Sequence, residues 1–422
     1  MKKSRSIAMS LLLAASLAVP AGASAAPDQQ SNNAEKFRVY VEVSGESAQK
    51  TKASLQKQYD SRWELSANGF STDMNEAQFN ALQNNKNLKL TKVDEVSVDA
   101  LRNNENVTNA FAAPADQTPW GIEAIYNDAN VGATSGGSGI NVAVLDTGVF
   151  TGHHDLQGTV EQCKDFTQAT PLVNGSCNDV DGHGTHVAGS VLADGGSDGS
   201  GVYGVAPDAD LWAYKVLGDD GSGYSDDIAA AIRHTADQAV ATGTNTVINM
   251  SLGSSANSPL IEDAVNYAYD KGVLVVAAAG NSGFRVGSIG YPGALENAIA
   301  VAALENRFEN GTYRVADFSS RGVRKGDGDY LIQEGDVEIS APGAAIFSTW
   351  PNGGYNTISG TSMASPHVAG LAAKVWAENP GFSHVQLRTE LQNRAKANDI
   401  LGGRSAAVGD DLASGFGFAK VN

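Results

Sequence analysis

Five apolar runs, Asn141–Leu145, Leu211–Val216, Thr246–Ser251, Val273–Ala278 and Ala298–Ala303, carry almost no polar–apolar alternation. A strand with one face in water alternates, so these runs belong to strands covered on both faces. Stretches with helical spacing lie between or after them, at Asp226–Thr242, Ser258–Lys271 and Ser362–Asn379. The order predicts an α/β fold, an open and mostly parallel sheet with helices on both faces. In such sheets ligands gather at the carboxyl ends of the strands. No internal repeat interrupts this pattern.

A chain of 422 residues exceeds what one core usually supports. Its first residues read as a secretory signal: a basic start at Met1-Lys-Lys-Ser-Arg5, an apolar run from Ile7 to Val19, and small residues at Ala23-Ser-Ala25. The run is shorter than the ~20 residues a bilayer span needs. We therefore expect residues 1–25 to be a signal peptide and 26–36 a polar linker. From Phe37 the pattern changes. Phe37–Val43 alternates as a strand, Ala48–Tyr59 has helical spacing, Trp63–Phe70 is strand-like, Asn75–Asn84 reads as a helix and Leu88–Val93 alternates again. This is a β-α-β-β-α-β-like order, so residues 37–98 are expected to form a small α+β, ferredoxin-like domain. Residues 99–112 look extended and accessible, as processing segments do, with a cut expected after Ala112. That leaves 113–422 as the main domain.

The two cysteines, Cys163 and Cys177, sit in a chain read as exported, where a disulfide closing one short loop is permitted. Two reduced, buried thiols are the other reading. The formal net charge is −18, and no Lys/Arg-rich run occurs. Nucleic acid and anionic membranes are therefore not expected partners.

Three blocks carry chemistry. Asp146 closes the run Ile140–Leu145, where a buried strand delivers its carboxylate to the sheet edge. His183 opens His-Gly-Thr-His-Val-Ala-Gly189 at a helix start flanked by small residues. Ser362 lies in Gly360-Thr-Ser-Met-Ala-Ser-Pro-His-Val-Ala-Gly370, at the start of a long small-residue helix. A carboxylate, an imidazole and a hydroxyl are the parts of an activated serine nucleophile. Each also has an ordinary reading, as turn former, core histidine or helix cap. At a helix N-terminus, however, free N–H groups and the helix dipole favour a developing oxyanion. The Gly-x-Ser-x-Gly elbow of another hydrolase class is absent, because position 364 is Ala. Pro366 is expected in the first turn of this helix, where its missing donor does no harm. His153, His154 and His234 read as surface residues, and His367 as a helix residue behind the serine.

In these blocks and their Asp…His…Ser order the chain resembles the subtilisin-like serine proteases. Within that family it is similar to the sphericase-like and cold-adapted Bacillus subtilisins. The similarity rests on the Cys163/Cys177 insert, Trp-Ala-Tyr-Lys-Val-Leu-Gly-Asp-Asp-Gly-Ser-Gly and Tyr-Arg-Val-Ala-Asp-Phe-Ser-Ser-Arg-Gly. The resemblance implies a secreted serine endopeptidase, active as a monomer on polypeptides. It makes His183 rather than His186 the general base, and Asn281, in Ala277-Ala-Ala-Gly-Asn-Ser-Gly283, the side chain of the oxyanion hole. Gly221-Ser222-Gly223 and Ser251-Leu252-Gly253 match segments that bracket substrate, and their short extended backbones suit pairing with a peptide strand. Ala278 and Gly280 would line the main specificity pocket. Gly290 would form its floor and leave room for large apolar or aromatic side chains. Residues 37–98 resemble the inhibitor and chaperone pro-domain of the family. The implied cofactor is Ca²⁺, held by Asp116, Asp155, Asp198 and the carbonyls of Ser200 and Val202. The Asp194–Gly201 loop is longer than usual for the family, and Gly326–Tyr330 with Asp336 is a second acidic candidate. The alternative function is an inactive binding or inhibitor protein on the same fold.

Overall fold

The computed structural model describes residues 35–98, 108–109, 111–168, 172, 174–325 and 328–421. The signal segment 1–25, nearly all of the linker 26–36, most of the processing segment 99–112, and Gly326 and Asp327 lie outside the described residues.

The N-terminal unit runs β1 (Lys36–Val43), α1 (Ala48–Gln58), β2 (Ser61–Ser66), β3 (Gly69–Asn75), α2 (Glu76–Leu82) and β4 (Leu88–Lys92), followed by β5 (Glu95–Val98). Four of these strands form an antiparallel sheet in the order β2-β3-β1-β4. The single strand expected over Trp63–Phe70 is instead the hairpin of β2 and β3, which turns at Ala67-Asn68. Alternation in β1 separates two faces. Val39, Val41 and Val43 pack with Leu55, Phe70 and Met74 in the unit's own core, while Arg38 and Tyr40 face the larger unit. Asn75 caps α2, accepting from the Gln78 N–H at 2.9 Å while the Gln78 side chain accepts from the Asn75 N–H.

The larger unit runs α3 (Trp120–Tyr126), β6 (Asn141–Asp146), β7 (Val160–Asp165), α4 (His183–Leu192), β8 (Asp210–Lys215), β9 (Ser222–Tyr224), α5 (Ser225–Thr242), β10 (Thr246–Met250) and β11 (Leu252–Gly253). It continues with α6 (Pro259–Asp270), β12 (Leu274–Ala278), β13 (Ile299–Glu309), β14 (Thr312–Val315), β15 (Ile339–Pro342), β16 (Ile346–Thr349), β17 (Tyr355–Ile358), α7 (Thr361–Glu378) and α8 (His384–Lys396). Among the described residues the central sheet has eight strands, ordered β14-β13-β12-β10-β6-β8-β7 with β15 against β13. Every pairing is parallel except β13 with β14. Alternate residues of β6 enter opposite layers. Val142 and Val144 join α4 and α7, whereas Ala143 and Leu145 join α5 and α6. Burial on both faces is why the run carries no alternation.

Helix α8 is the element that composition hides. It is polar overall, yet Leu387, Leu391 and Ala395 are buried at helical spacing, and Ser383 with Gln386 forms a capping box. Arg388 ties it to the fully buried Glu338 at 2.6 Å. The Cys163–Cys177 disulfide is formed, with a Cα–Cα distance of 5.0 Å. Among the described residues no helix is long and apolar enough to cross a membrane.

Two of the histidines expected at the surface are not there: His234 is half-buried against the Phe166 and Tyr214 rings. His153 is fully buried: its Nε2 lies 2.9 Å from the Gly354 carbonyl, and its Nδ1 accepts from the Asp155 N–H. Aromatic packing against Tyr355 covers it, a long-range contact with no local sequence signal. His186 and His367 are also buried, and desolvation pushes them down to about 3 and about 4. An unfolded histidine takes a proton near pH 6.5, which the fold refuses. Stability is therefore lost as pH falls from about 6.5 toward 4, by up to ~1.4 kcal/mol per pH unit for each group. Urea midpoints should drop over this interval, and His367→Gln should flatten the slope. Equal slopes for the two proteins would contradict this assignment.

Candidate active site

Asp146 is the last residue of β6, and His183 is the first of α4. Both are essentially unexposed, and His183 Nδ1 lies 2.7 Å from Asp146 Oδ1. The same oxygen accepts from the Thr147 N–H at 2.7 Å. Close backbone approach permits the contact. A Cβ on Gly184 would lie 2.1 Å from the Gly148 carbonyl and 3.0 Å from Asp146 Cβ. Gly182, at φ +103°, starts the helix in a conformation that other residues rarely adopt.

A buried carboxylate unnoticed in the sequence, Asp179, fastens these two elements. Its Oδ1 accepts from Thr147 Oγ1 and the Gly182 N–H, both at 2.9 Å. Its Oδ2 accepts from the Thr185 N–H at 2.9 Å and Thr185 Oγ1 at 2.6 Å. Thr147 Oγ1 in turn accepts from the Gly184 N–H. Burial pushes the Asp179 carboxyl up, and these hydrogen bonds oppose the shift. The disulfide adds a further tie, because the Cys177 carbonyl accepts from the Val149 N–H at 2.8 Å.

Ser362 is the second residue of α7, a helix that packs against α4. Its hydroxyl donates to the Ser251 carbonyl at 3.1 Å, and Ser251 Oγ donates back to the Ser362 carbonyl at 2.7 Å. Among the described residues, His183 Nε2 is buried without a hydrogen-bond partner. Pro366 lies inside α7 rather than in its first turn. The carbonyl that it leaves without an i+4 donor is that of Ser362, and Ser251 supplies the replacement. Asn249 anchors the arrangement through Ser251 Oγ at 3.0 Å and Ser365 Oγ at 2.7 Å. Asn281 follows β12, and its Oδ1 accepts from the Thr361 N–H at 3.0 Å. With Oδ1 so engaged, Nδ2 is the end of the amide that can donate to an oxyanion.

Beside these groups is an open cavity of about 600 Å³ lined by Val98, Gly253, Ala278, Gly280, Asn281 and Gly290. A Cβ on Gly290 would lie 3.1 Å from the Ser254 carbonyl. The cavity's other boundary is β5. This strand inserts between β9 and β11, with Val96 opposite Gly223, Ser97 opposite Ser222 and Gly253, and Val98 opposite Leu252. The Val98 N–H donates to the Gly221 carbonyl at 2.9 Å. Gly221–Gly223 and Leu252–Gly253 thus pair with an extended strand of the chain itself.

The five expected metal ligands are placed unevenly. Asp155 is buried, and its Oδ2 accepts from the Val202 N–H and Tyr355 Oη at 2.8 and 3.0 Å. Among the described residues its Oδ1 has no hydrogen-bond partner, and a Cβ on Gly201 would lie 1.9 Å from it. That cradle suits a hard cation. Asp198 is mostly exposed and holds His154 at 3.0 Å and Ser200 Oγ at 2.7 Å. Hydrogen bonds to Ser200 pull its carboxyl down to about 2. The Val202 carbonyl accepts from the Gly195 N–H, and Asp116 accepts from the Thr118 N–H. Gln117, a neighbour absent from the expected set, reaches the Gly199 and Gly201 carbonyls. Among the described residues no cluster of three or more His, Cys, Asp or Glu stands ready for a metal.

Comparison with known proteins agrees with this architecture. The family model of the subtilases, peptidase family S8, matches residues 137–417. A subtilisin of Bacillus sp. (strain TA39) is 64% identical over 424 residues, covering 100% of both chains. Subtilisin Savinase of Lederbergia lenta is 43% identical over 67% of this chain and 92% of its own. The solved structure of sphericase aligns with a TM-score of 0.73 at 72% identity, covering 73% of this chain and 99% of sphericase. The S41 psychrophilic protease aligns with the same TM-score at 71% identity, over 74% of this chain and 100% of its own. The chain belongs to the subtilase family and is a subtilisin-like serine protease.

Proposed function

We propose that Ser362, His183 and Asp146 hydrolyse peptide bonds through an acyl-enzyme. The observation that carries this reading is the buried 2.7 Å contact between His183 Nδ1 and Asp146 Oδ1 at the carboxyl edge of the sheet. That contact sets the imidazole tautomer, leaving Nε2 to take the serine proton. Ser362 Oγ turns from the Ser251 carbonyl toward Nε2 and attacks the scissile carbonyl. Its proton passes to His183 and then to the departing amine. Water repeats the sequence to release the acyl group. Asn281 Nδ2 and the Ser362 N–H, at the positive end of α7, stabilise the oxyanion. Substrate pairs with Gly221–Gly223 and Ser251–Gly253. Large apolar or aromatic residues before the cut enter the cavity over Gly290.

The precursor carries its own inhibitor. β5 fills the position that this reading gives to substrate, and the N-terminal domain holds it there. We assign residues 1–25 to export, and removal of residues up to Ala112 to self-processing. Calcium is assigned to Asp155 together with carbonyls of the 194–202 loop. The ion would supply rigidity to that loop and takes no part in the proton transfers.

Ser362→Ala should abolish casein hydrolysis and accumulate uncut precursor, read by the mass of the secreted chain. Normal maturation of this variant would rule out self-cleavage. Asn281→Leu should lower kcat by about 10²–10³, the loss known for the corresponding donor of subtilisin, in a protein that still folds. An unchanged rate would remove Asn281 from the mechanism. Chelation should lower the melting temperature, since a cation at a hundredfold excess over its Kd stabilises by about 2.7 kcal/mol. Asp155→Asn should lose this response, and a chelator-insensitive wild type would exclude the ion.

A further inference from the structure

The first turn of α5 carries two adjacent carboxylates, Asp226 and Asp227, that are 0% and 1% exposed. The Arg38 guanidinium donates to Asp226 Oδ1 at 2.9 Å and to Asp227 Oδ2. It also lies 4.0 Å from the centre of the Tyr224 ring. Arg62 and the Trp63 ring N–H reach Asp227 Oδ1 at 3.4 and 2.7 Å. Among the described residues, the hydrogen bonds these two side chains make all come from the N-terminal domain. Asp226 Oδ2 is buried and, among the described residues, makes no hydrogen bond, with Arg62 Nε 3.9 Å away. One unit supplies an aromatic face and two carboxylates, and the other supplies a guanidinium.

We infer that the catalytic domain keeps this cage after the N-terminal domain leaves, and uses it to bind an arginine side chain of a polypeptide upstream of the cleaved bond. This rests on the reading that residues 37–98 detach. Sphericase supports that reading, since 73% of this chain accounts for 99% of its structure. With the domain gone the pair loses the groups that cover and neutralise it here, and two adjacent carboxylates that repel each other favour a cation placed between them. A guanidinium fits better than an ammonium, because its planar fork can bridge two carboxylates while its face stacks on an aromatic ring.

The cage also adjoins the groove. Tyr224 ends β9 and pairs with Glu95 of β5. The next N–H, that of Ser225, donates to the Asp94 carbonyl at 2.9 Å. An extended chain lying as β5 does therefore passes directly beside Asp226 and Asp227 at its upstream end. The subsite would add a charge preference to a groove that otherwise reads backbone and apolar bulk.

The test uses the protein secreted from the full-length gene, with loss of the N-terminal domain checked by mass. Peptides that carry Arg at each upstream position in turn are compared with the same peptides carrying citrulline, which has the same shape without the charge. We expect kcat/KM to favour Arg by about tenfold or more at one position, as a charge-assisted hydrogen bond warrants. Asp226→Asn and Asp227→Asn should bring this ratio toward one. Equal rates for Arg and citrulline at every position, in a protein shown to lack the domain, would overturn the subsite alone. Retention of the domain would overturn both the subsite and the reading of a detachable inhibitor. The wild-type peptide scan decides the matter even where a variant fails to fold.

Discussion

The buried contact between His183 and Asp146 sets the terms for the rest of the site, and it exists because two elements are forced together. Asp146 ends a strand covered on both faces, so its position is fixed by both helical layers. His183 begins a helix whose first residues lie against the strand end, an approach that Gly184 makes possible. Asp179 then closes the joint, holding Thr147 on one side and Gly182 and Thr185 on the other. A carboxylate satisfied by four donors can remain buried, and in doing so it fixes the distance between the two functional groups. The disulfide reinforces the same joint through Cys177 and Val149.

A second joint holds Ser362, the proposed nucleophile. Pro366 deprives the Ser362 carbonyl of its helical partner, and Ser251 replaces that partner while offering its own carbonyl to the Ser362 hydroxyl. Ser251 is expected to contact substrate, so nucleophile and substrate backbone share one support. Asn249 holds this support from beneath. The helix irregularity thereby couples Ser251, in the segment proposed to hold substrate, to Ser362, the proposed nucleophile.

Legibility in the sequence followed the range of the interactions. The central strands were readable because burial on both faces leaves a local mark, and α5, α6 and α7 because their spacing does. The blocks around Asp146, His183 and Ser362 were readable as chemistry, and their placement at strand end and helix starts agrees with that pattern. Asp179 was not readable, because an aspartate before Gly182 looks like a turn former. His153 was misplaced at the surface because its cover comes from Tyr355, far along the chain. The hairpin at Ala67-Asn68 sits inside what reads as one alternating segment, and the Asn68-Gly69 dipeptide was its local mark. Trp63 gave no sign that it would meet Asp227, a partner 164 residues away. The 194–202 loop, to which calcium is assigned only as a proposal, was the least legible part, since a backbone carbonyl leaves no trace in residue type.

The central claim is that Ser362 is the nucleophile of a single buried relay. Phenylmethanesulfonyl fluoride transfers its sulfonyl group to an activated serine oxygen, with fluoride leaving and the serine proton passing to the base. Peptide mapping of the inactivated protein tests the claim most directly. One adduct, on Ser362 and not on Ser365 or Ser251, with activity lost in proportion to labelling, is the expected result. Inactivation with the label on another residue, or full labelling of Ser362 with activity retained, would contradict the account.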